Sequence, residues 1–419
     1  MIKILFKPNV QILIGAILGI SMGIALNVAG KGNVFFPGVL FIADLVGGIF
    51  IKLLKMVAIP LIFTSIALGI SKLQAHSQMG KVWRYTLLYF FCTSIIAVSI
   101  GLCAVNFFKP GVGLEIAILK EKAVILPQEL SIMQYIKSMV AHILINPIAA
   151  IAQSKILPTV GAAAFLGIAL IMAKDKGKRI VLLLEDFNHV IMILVKWIMK
   201  LAPIGIMSLL TNLLASQDLS IFPQIIKFIV LVFFATLFHG VVVLPLLLKL
   251  TTGIGPTRYF RGVHRALFVA LSTSSSSATL PISMQVTEKY FNVNKNVSDF
   301  VLPLGATFNM DGSALYEAIA AIFIANIIGI ELSVMQQIII FIMAIISSIG
   351  APGIPSAGMV TMIMVLQSVG LPAEGIVILL PIDRFLDTFR TAVNVEGDII
   401  GACIVDHYVS SHKHLNVKA

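Results

Sequence analysis

The sequence predicts an all-α protein embedded in a lipid bilayer. Of its 419 residues, 58% are hydrophobic and 12% are charged, whereas soluble domains carry roughly 25% charged residues. Apolar runs long enough to cross a bilayer, which takes about 20 residues, recur along the whole chain. The polar stretches between them are too short for a separate soluble domain, so one integral membrane unit is predicted.

Six candidate spans precede residue 255. They cover residues 9–29, 39–71, 84–107, 139–173, 182–214 and 223–250. The second and fourth are longer than a span requires, which predicts tilting or a break. Asn146-Pro147 is a candidate break because proline has no backbone N–H to donate. The first run lacks a cleavage-site pattern, so it is predicted to be a helix and not a removed signal peptide.

The positive charge of the chain is distributed as a membrane topology requires. The formal net charge is +11, but most basic residues fall in alternate loops, so no nucleic-acid partner is predicted. The positive-inside rule places both termini in the cytoplasm, although one external segment, 109–137, also carries lysines. The residues that define the pattern are Lys3, Lys7, Lys72, Lys81, Arg84, Lys174, Lys176, Lys178, Arg179, Arg258, Arg261, Arg265, Lys413 and Lys418.

After residue 255, small and polar residues interrupt the apolar runs. The interruptions are STSSSSATLP at 272–281, GATFNMDGS at 305–313 and SSIGAPGIPSAG at 347–358. Non-helical backbone at membrane depth is tolerated only where protein buries it or where it lines a wet cavity. The first and third interruptions occur in matching segments that each precede a full span, a pattern that indicates a transport site between inverted repeats.

A stripe of polar residues follows in the last span. Residues 383–398 read DRFLDTFRTAVNVEGD, and at ~100° per residue six polar side chains share an arc of ~100°. The six are Asp383, Asp387, Arg390, Thr391, Asn394 and Asp398. Each charge costs several kcal/mol in a membrane unless it is paired or wetted. The structural alternative is mutual pairing of Asp387 with Arg390, which would leave Asp383 and Asp398 unexplained.

The stripe fits a small zwitterion that carries an extra carboxylate. Arg390 offers a planar donor fork to a carboxylate, Asp387 can accept from an ammonium group, and Asp398 can bind a hard cation through oxygen. These residues predict a sodium-coupled transporter for an acidic amino acid. They leave the choice between glutamate and aspartate open.

The remaining interruptions predict further parts of the site. GATFNMDGS favours an unwound turn whose freed carbonyls bind sodium, with a simple kinked helix as the alternative. Glu317 lies about one turn after Ser313 and either carries a proton or is an ordinary hydrogen-bonded glutamate. Hydroxyls and free amides at 272–281 can receive the main carboxylate of the substrate. The tip at 347–358 is either a movable lid or a rigid loop.

Four motifs together resemble a known family. SSSSATLP, NMDGSALYEAIAAIFIA, SIGAPGIPSAG and DRFLDTFRTAVNVEGD, in this order, are similar to the excitatory amino-acid transporters, which are dicarboxylate/amino acid:cation symporters. The resemblance is strong from about residue 255 to 408 and looser before. It implies eight transmembrane helices plus two re-entrant helical hairpins with inverted repeats, assembled as a homotrimer in the cell (inner) membrane.

The family fold implies an elevator-type transporter with two kinds of domain. Scaffold helices would occupy 1–72 and 139–214, and the moving transport domain would occupy 84–107 and 223–419. The re-entrant hairpins would lie near 258–290 and 334–368 within the transport domain. The resemblance implies no enzyme activity and no cofactor, with sodium as a co-transported ion.

The same resemblance assigns site residues by motif. Substrate contacts would come from Ser274, Ser276, Ser313, Ile354, Asp387, Arg390, Thr391 and Asn394. One sodium site would use Gly305, Asn309, Asn394 and Asp398; a second, Thr307, Ser348, Ile349 and Ala351; a third, Thr93, Ser94, Asn309 and Asp311. Glu317 matches the position associated with proton coupling, and Phe90 stands where the family usually has a tyrosine near the third sodium site.

Three other functions compete with this interpretation. A transporter of the same fold for C4-dicarboxylates or neutral amino acids is the first, but Asp387 argues against a substrate without an amine and Arg390 against one without a side-chain carboxylate. An intramembrane hydrolase is disfavoured because no nucleophile elbow is visible in the sequence. A passive anion channel would need no buried carboxylates for cations.

Overall fold

The computed structural model is helical throughout its regular structure. It describes residues 8–29, 36–72, 80–114, 116–121, 123, 145–153, 155–216, 221–350 and 358–415, and within these ranges every regular element is a helix. Six helical stretches there are long and apolar enough to cross a membrane. The predicted class of all-α membrane protein is therefore confirmed. The predicted ligands Ile354 and Ala351 lie outside the described residues.

The first half of the chain forms seven of the described helices. They are α1 (Pro8–Ala29), α2 (Phe36–Lys72), α3 (Gly80–Phe108), α4 (Ala117–Lys120), α5 (Pro147–Ala152), α6 (Ile156–Ala173) and α7 (Lys178–Ser216). At the predicted break the chain starts helix α5: the Asn146 side chain accepts from the N–H groups of Ile148 and Ala149. Pro147 fits the first turn because its missing N–H would have no intrahelical partner there.

Helices α1, α2, α6 and α7 pack against one another and are called the first bundle. Gly15, Gly19 and Gly23 recur every four residues along α1 and face α7. A side chain at Gly19 would overlap the backbone of Met207 on α7. Small residues at such a spacing let membrane helices approach closely and gain dispersion energy where no hydrophobic driving force exists.

The second half forms nine more described helices. They are α8 (Ile221–Phe238), α9 (Leu244–Thr252), α10 (Pro256–Thr273), α11 (Ser276–Lys289), α12 (Lys295–Phe308), α13 (Asp311–Ile327), α14 (Val334–Gly350), α15 (Gly358–Ser368) and α16 (Ile376–Leu415). A π-helical turn, His239–Val243, joins α8 to α9. Helices α10 and α11 pack side by side, as do α14 and α15.

Helix α3 and helices α8 to α16 form the second bundle. Helix α13 lies at its centre and is buried along almost all of its length. Its approach to α3 is close, because a Cβ at Gly101 of α3 would lie 2.8 Å from the carbonyl oxygen of Leu315. Helix α16 contacts α3 and α8 to α13, so its polar stripe faces protein and not lipid.

The two bundles meet where α14 and α15 pack against α2, where α15 packs against α6, and where α16 packs against α1 and α7. An ion pair between described residues crosses between them just before α16: Lys55 Nζ of α2 lies 3.0 Å from Glu374 Oε1, with the two side chains 35% and 26% exposed. Both residues line a cavity of about 380 Å³ whose walls come from α2 and α7 on one side and residues 374–378 on the other.

Candidate functional site

Two interruptions of helix place backbone polar groups inside the second bundle. Helix α12 ends at Phe308, Asn309 and Met310 are not helical, and α13 begins at Asp311. The interruption predicted from GATFNMDGS is thus confirmed. Between α10 and α11, Ser274 adopts the left-handed conformation with φ 49°, which non-glycine residues rarely adopt.

Arg390 is the largest fully buried side chain of the described residues. Its Nη2 donates to Asp383 Oδ1 at 2.7 Å and to Asp387 Oδ1 at 2.8 Å. Its guanidinium carbon lies 4.0 Å from the centre of the Tyr316 ring, a distance typical of a cation–π contact. The ring and the two carboxylates therefore fix the plane of the guanidinium.

The rest of the guanidinium has donors to spare. Nε and Nη1 of Arg390 are buried and have no hydrogen-bond partner among the described residues. Gly358, the first residue of α15, borders this group: a Cβ there would lie 3.8 Å from Nη1. A buried donor without a partner costs about 1–3 kcal/mol, so these free donors favour an incoming acceptor. Nη1, which lies beside Gly358, can donate to a carboxylate oxygen.

Mutual pairing within the stripe is more extensive than the sequence predicts. The expectation that pairing would leave Asp383 unexplained is wrong, because Arg390 bonds Asp383 as well as Asp387. Arg384 also contacts Asp387, with Nη1 3.4 Å from Oδ2. Pairing nevertheless uses only Nη2 of Arg390, which leaves the two donors described above.

Asn394 links the stripe to the start of α13. Its Oδ1 accepts from the N–H of Gly312 at 2.8 Å, and its Nδ2 donates to Ser313 Oγ at 3.3 Å. A Cβ at Gly312 would lie 2.7 Å from the Arg390 carbonyl oxygen, so only glycine allows this approach. Thr391 is buried on the same stripe. The structure thus gathers four of the predicted substrate contacts, Ser313, Asp387, Arg390 and Asn394, around one pair of helices.

The predicted first sodium site is brought together by α12 and α16. Asn309 Nδ2 donates to Asp398 Oδ1 at 3.2 Å, and both side chains are buried. Gly305 lies against the Asp398 carboxylate so closely that a Cβ would overlap it. Phe90 packs at the same point, 3.2 Å from where that Cβ would be. A carboxylate and an amide oxygen in one buried place suit a hard cation.

The predicted third sodium site is also assembled. Ser94 Oγ of α3 donates to Asp311 Oδ1 at 2.8 Å, and Thr93 Oγ1 lies 3.4 Å from Asn309 Oδ1. The other Asp311 oxygen lies 3.4 Å from Nε2 of His239, which is fully buried. Which of the two groups donates in this contact depends on the tautomer of His239.

The predicted second sodium site is the least assembled. Thr307 is exposed and its hydroxyl donates to Leu304 of its own helix. Ser348 is buried and donates to Ile345, also of its own helix. Helices α12 and α14 pack together, but within the described ranges no hydrogen bond connects Thr307 with Ser348 or Ile349.

The turn between α10 and α11 presents the predicted serines. Ser274 and Ser276 are buried, and Ser275 caps α11 by accepting from the N–H of Ala278 at 3.2 Å. Both helices pack against α16. The turn therefore lies at the N-terminal end of α11, where unsatisfied N–H groups attract an anion.

Glu317 is buried one turn beyond Ser313 and is held by two hydroxyls. Thr361 Oγ1 donates to Oε1 at 2.6 Å, and Ser347 Oγ donates to Oε2. The sequence prediction singled out Glu317 but missed both partners. It also missed Tyr316 and His239. Two of these residues had a local signal, because Tyr316 lies beside Glu317 and Ser347 opens the motif at 347–358, whereas Thr361 and His239 are isolated polar residues in apolar runs.

Membrane-spanning helices, buried ion pairs, free guanidinium donors and buried carboxylates beside amide oxygens are features typical of a membrane transporter of small solutes. The chain belongs to the sodium:dicarboxylate symporter family, whose model matches residues 9–408. The resemblance drawn from the four motifs is therefore confirmed, as are the predictions that the protein is not an enzyme and that sodium is its co-transported ion.

Proteins similar to this chain include both excitatory amino acid transporters and a neutral amino acid transporter. The chain is 33% identical to the mouse excitatory amino acid transporter 3, with 96% of this chain and 86% of the relative covered. It is 34% identical to the excitatory amino acid transporter 1 of Ambystoma tigrinum, over 96% and 82%. It is also 32% identical to the rabbit neutral amino acid transporter B(0), over 94% and 79%. The protein is thus a sodium-coupled transporter.

Proposed function

We propose that the protein imports an acidic amino acid, glutamate or aspartate, together with sodium ions and a proton. The observation that carries this proposal is the buried Arg390, whose Nε and Nη1 have no partner among the described residues. A neutral amino acid would leave these donors unsatisfied in a place that water does not easily reach. A side-chain carboxylate can accept from Nη1 and satisfy it.

Asp387 supports an amino group on the substrate. Its carboxylate lies beside Arg390 and Arg384, at the edge of the same stripe. An ammonium group placed there would pair with Asp387. Its positive charge would also balance the negative charge that a substrate carboxylate adds next to the guanidinium. A C4-dicarboxylate would bring a second negative charge toward Asp387 and Asp383, which opposes its binding.

The balance of buried charge supports cation coupling. The described buried acids outnumber the single buried arginine; they are Asp311, Glu317, Asp383, Asp387, Glu396 and Asp398. An excess of buried acids is costly without counter-cations. We assign sodium to the site at Gly305, Asn309, Asn394 and Asp398, to a site at Thr93, Ser94, Asn309 and Asp311, and to a site at Thr307, Ser348, Ile349 and Ala351. We assign the proton to Glu317.

The substrate site in this proposal combines the stripe with both hairpin tips. Its members are Ser274, Ser276, Ser313, Ile354, Asp387, Arg390, Thr391 and Asn394. Helices α10 and α11, and α14 and α15, would be the two re-entrant hairpins of an eight-span elevator-type fold. The second bundle would move past the first within a homotrimer in the cell membrane, with both termini in the cytoplasm.

Transport by purified protein in liposomes tests the function. An inward sodium gradient should drive accumulation of labelled aspartate or glutamate, and unlabelled succinate or serine should compete poorly. Accumulation that is equal with potassium in place of sodium would overturn the coupling. Accumulation of serine or succinate in preference to both acidic amino acids would overturn the substrate assignment.

The observation that favours a second candidate is the similarity to a neutral amino acid transporter at an identity comparable to that of the acidic transporters. In that case serine or alanine would accumulate with sodium, and the free donors of Arg390 would need an internal acceptor. The competition experiment separates these two functions directly.

A further inference from the structure

Both oxygens of the Glu317 carboxyl are held by hydroxyls from different helices. Glu317 is 1% exposed. Thr361, in the first turn of α15, donates to Oε1 at 2.6 Å, and Ser347, in the last turn of α14, donates to Oε2. These two helices flank the tip at 351–357. The carboxyl of α13 is therefore clamped by both arms of one helical pair.

Each of these hydroxyls also has a second acceptor within reach. Ser347 Oγ lies 2.8 Å from the carbonyl oxygen of Ala344, and Thr361 Oγ1 lies 3.1 Å from that of Gly358. A hydroxyl has one hydrogen to donate but can also accept. Each hydroxyl can therefore turn its hydrogen either toward Glu317 or toward its own helix.

This choice matters because Glu317 has different needs in its two protonation states. As a carboxylate it only accepts, so both hydroxyls donate to it. Once protonated it must donate its own hydrogen, and one hydroxyl can accept that hydrogen while turning its own toward the helix carbonyl. Buried polar groups that lose their partner cost about 1–3 kcal/mol, and this arrangement leaves none without one in either state.

We propose that Ser347 and Thr361 are positioning residues that let Glu317 gain and release a proton inside the membrane. The inference rests on the proposed function, in which Glu317 is the site of the co-transported proton. A carboxyl oxygen of Glu317 binds the proton and later releases it, and no other covalent bond is made or broken. The two hydroxyls hold the carboxyl in place and set the pH at which it changes state.

The clamp, meaning the Ser347 and Thr361 hydroxyls that hold Glu317, also connects the proton site with the substrate site. Gly358, whose carbonyl is the second acceptor of Thr361, borders the guanidinium of Arg390. Arg390 and Asp383, both on α16, are charged groups close enough to act on Glu317, and Ser347 of α14 and Thr361 of α15 face it with their hydroxyls. A carboxylate arriving at Arg390 would weaken the stabilisation that this cation gives to ionised Glu317. Substrate binding would then favour proton uptake.

The test is the pH dependence of sodium-driven aspartate uptake in liposomes. Hydrogen bonds to a carboxylate stabilise its charged form, so Ser347→Ala and Thr361→Val should each move the midpoint of the profile to higher pH by about one unit. Thr361→Ser, which keeps the hydroxyl, should restore the wild-type midpoint. Ser368→Ala is the matched control, because that hydroxyl on α15 donates only to Val365 of its own helix.

The possible outcomes separate the clamp from the proposed function. If Glu317→Gln removes the pH dependence but Ser347→Ala and Thr361→Val keep the wild-type midpoint, the clamp is refuted and the proton site stands. If Glu317→Gln keeps the full pH dependence, both are refuted while sodium-coupled uptake survives. Should Thr361→Val fail to fold, Ser347→Ala alone decides, since it removes one hydroxyl without adding volume.

Discussion

Replacement of Arg390 is the most informative perturbation of the site. Arg390→Lys keeps a positive charge but loses the planar fork, whereas Arg390→Ala removes both. The native guanidinium uses Nη2 for Asp383 and Asp387 and leaves Nε and Nη1 for a ligand. A lysine in the same place would have to divide one ammonium group between the two acids and the substrate.

The size of the effect follows from the free Nη1 donor beside Gly358. A hydrogen bond to a charged group contributes about 1.5–3 kcal/mol, so its loss in Arg390→Ala should cost about 1.5–3 kcal/mol of aspartate binding. At 1.4 kcal/mol per tenfold, aspartate should bind ~10- to 100-fold more weakly. Arg390→Lys, which keeps the positive charge, should lose less affinity than Arg390→Ala.

Aspartate binding to purified protein in sodium, measured by calorimetry, gives these ratios. Serine and alanine uptake provides the internal control, because a folded and sodium-coupled Arg390→Ala protein should gain or keep some transport of neutral amino acids. Thermal unfolding in sodium checks that Asp383 and Asp387 tolerate the loss of their partner. Aspartate affinities within threefold of wild type in both variants would refute the role given to Arg390.

Two further predictions concern the cation site and the contact between bundles. Asp398→Asn keeps the volume but removes the charge, so the sodium concentration for half-maximal uptake should rise about tenfold, equivalent to about 1.4 kcal/mol; an unchanged sodium titration would exclude Asp398 as a ligand. Glu374→Gln should weaken the bundle contact by up to about 1 kcal/mol, and Lys55→Glu combined with Glu374→Lys should restore it. The yield of cross-links between the two bundles would report the strength of this contact, with Lys52→Gln as the control variant. Equal cross-linking yields in Lys52→Gln and Glu374→Gln would contradict a specific role for the Lys55–Glu374 pair.

Much of the site was predictable because helix geometry is regular. Residues 383–398 needed only the 100° repeat for the six polar side chains to be placed on one face, and that face is buried in the structure. The interruption at Asn309 was predictable for a similar reason, since a Gly, Asn and Asp run inside an apolar span conflicts with a continuous helix. Both inferences depend only on local sequence.

The partners of these residues were not predictable in the same way. Thr361 lies 44 residues from Glu317 and His239 lies 72 from Asp311, and nothing local distinguishes them from other polar residues in apolar helices. Their role appears only when the packing of α13 against α8, α14 and α15 is known. The error over Asp383 has the same origin, because the reach of an arginine across seven residues depends on its rotamer.

A structure of the protein with sodium and aspartate bound would show whether Arg390 binds the side chain of the substrate. We expect the side-chain carboxylate of aspartate to lie within hydrogen-bond distance, about 2.7–3.2 Å, of Nη1 of Arg390. Bound aspartate whose side chain points away from Arg390, with the guanidinium still contacting only Asp383, Asp387 and Tyr316, would contradict it.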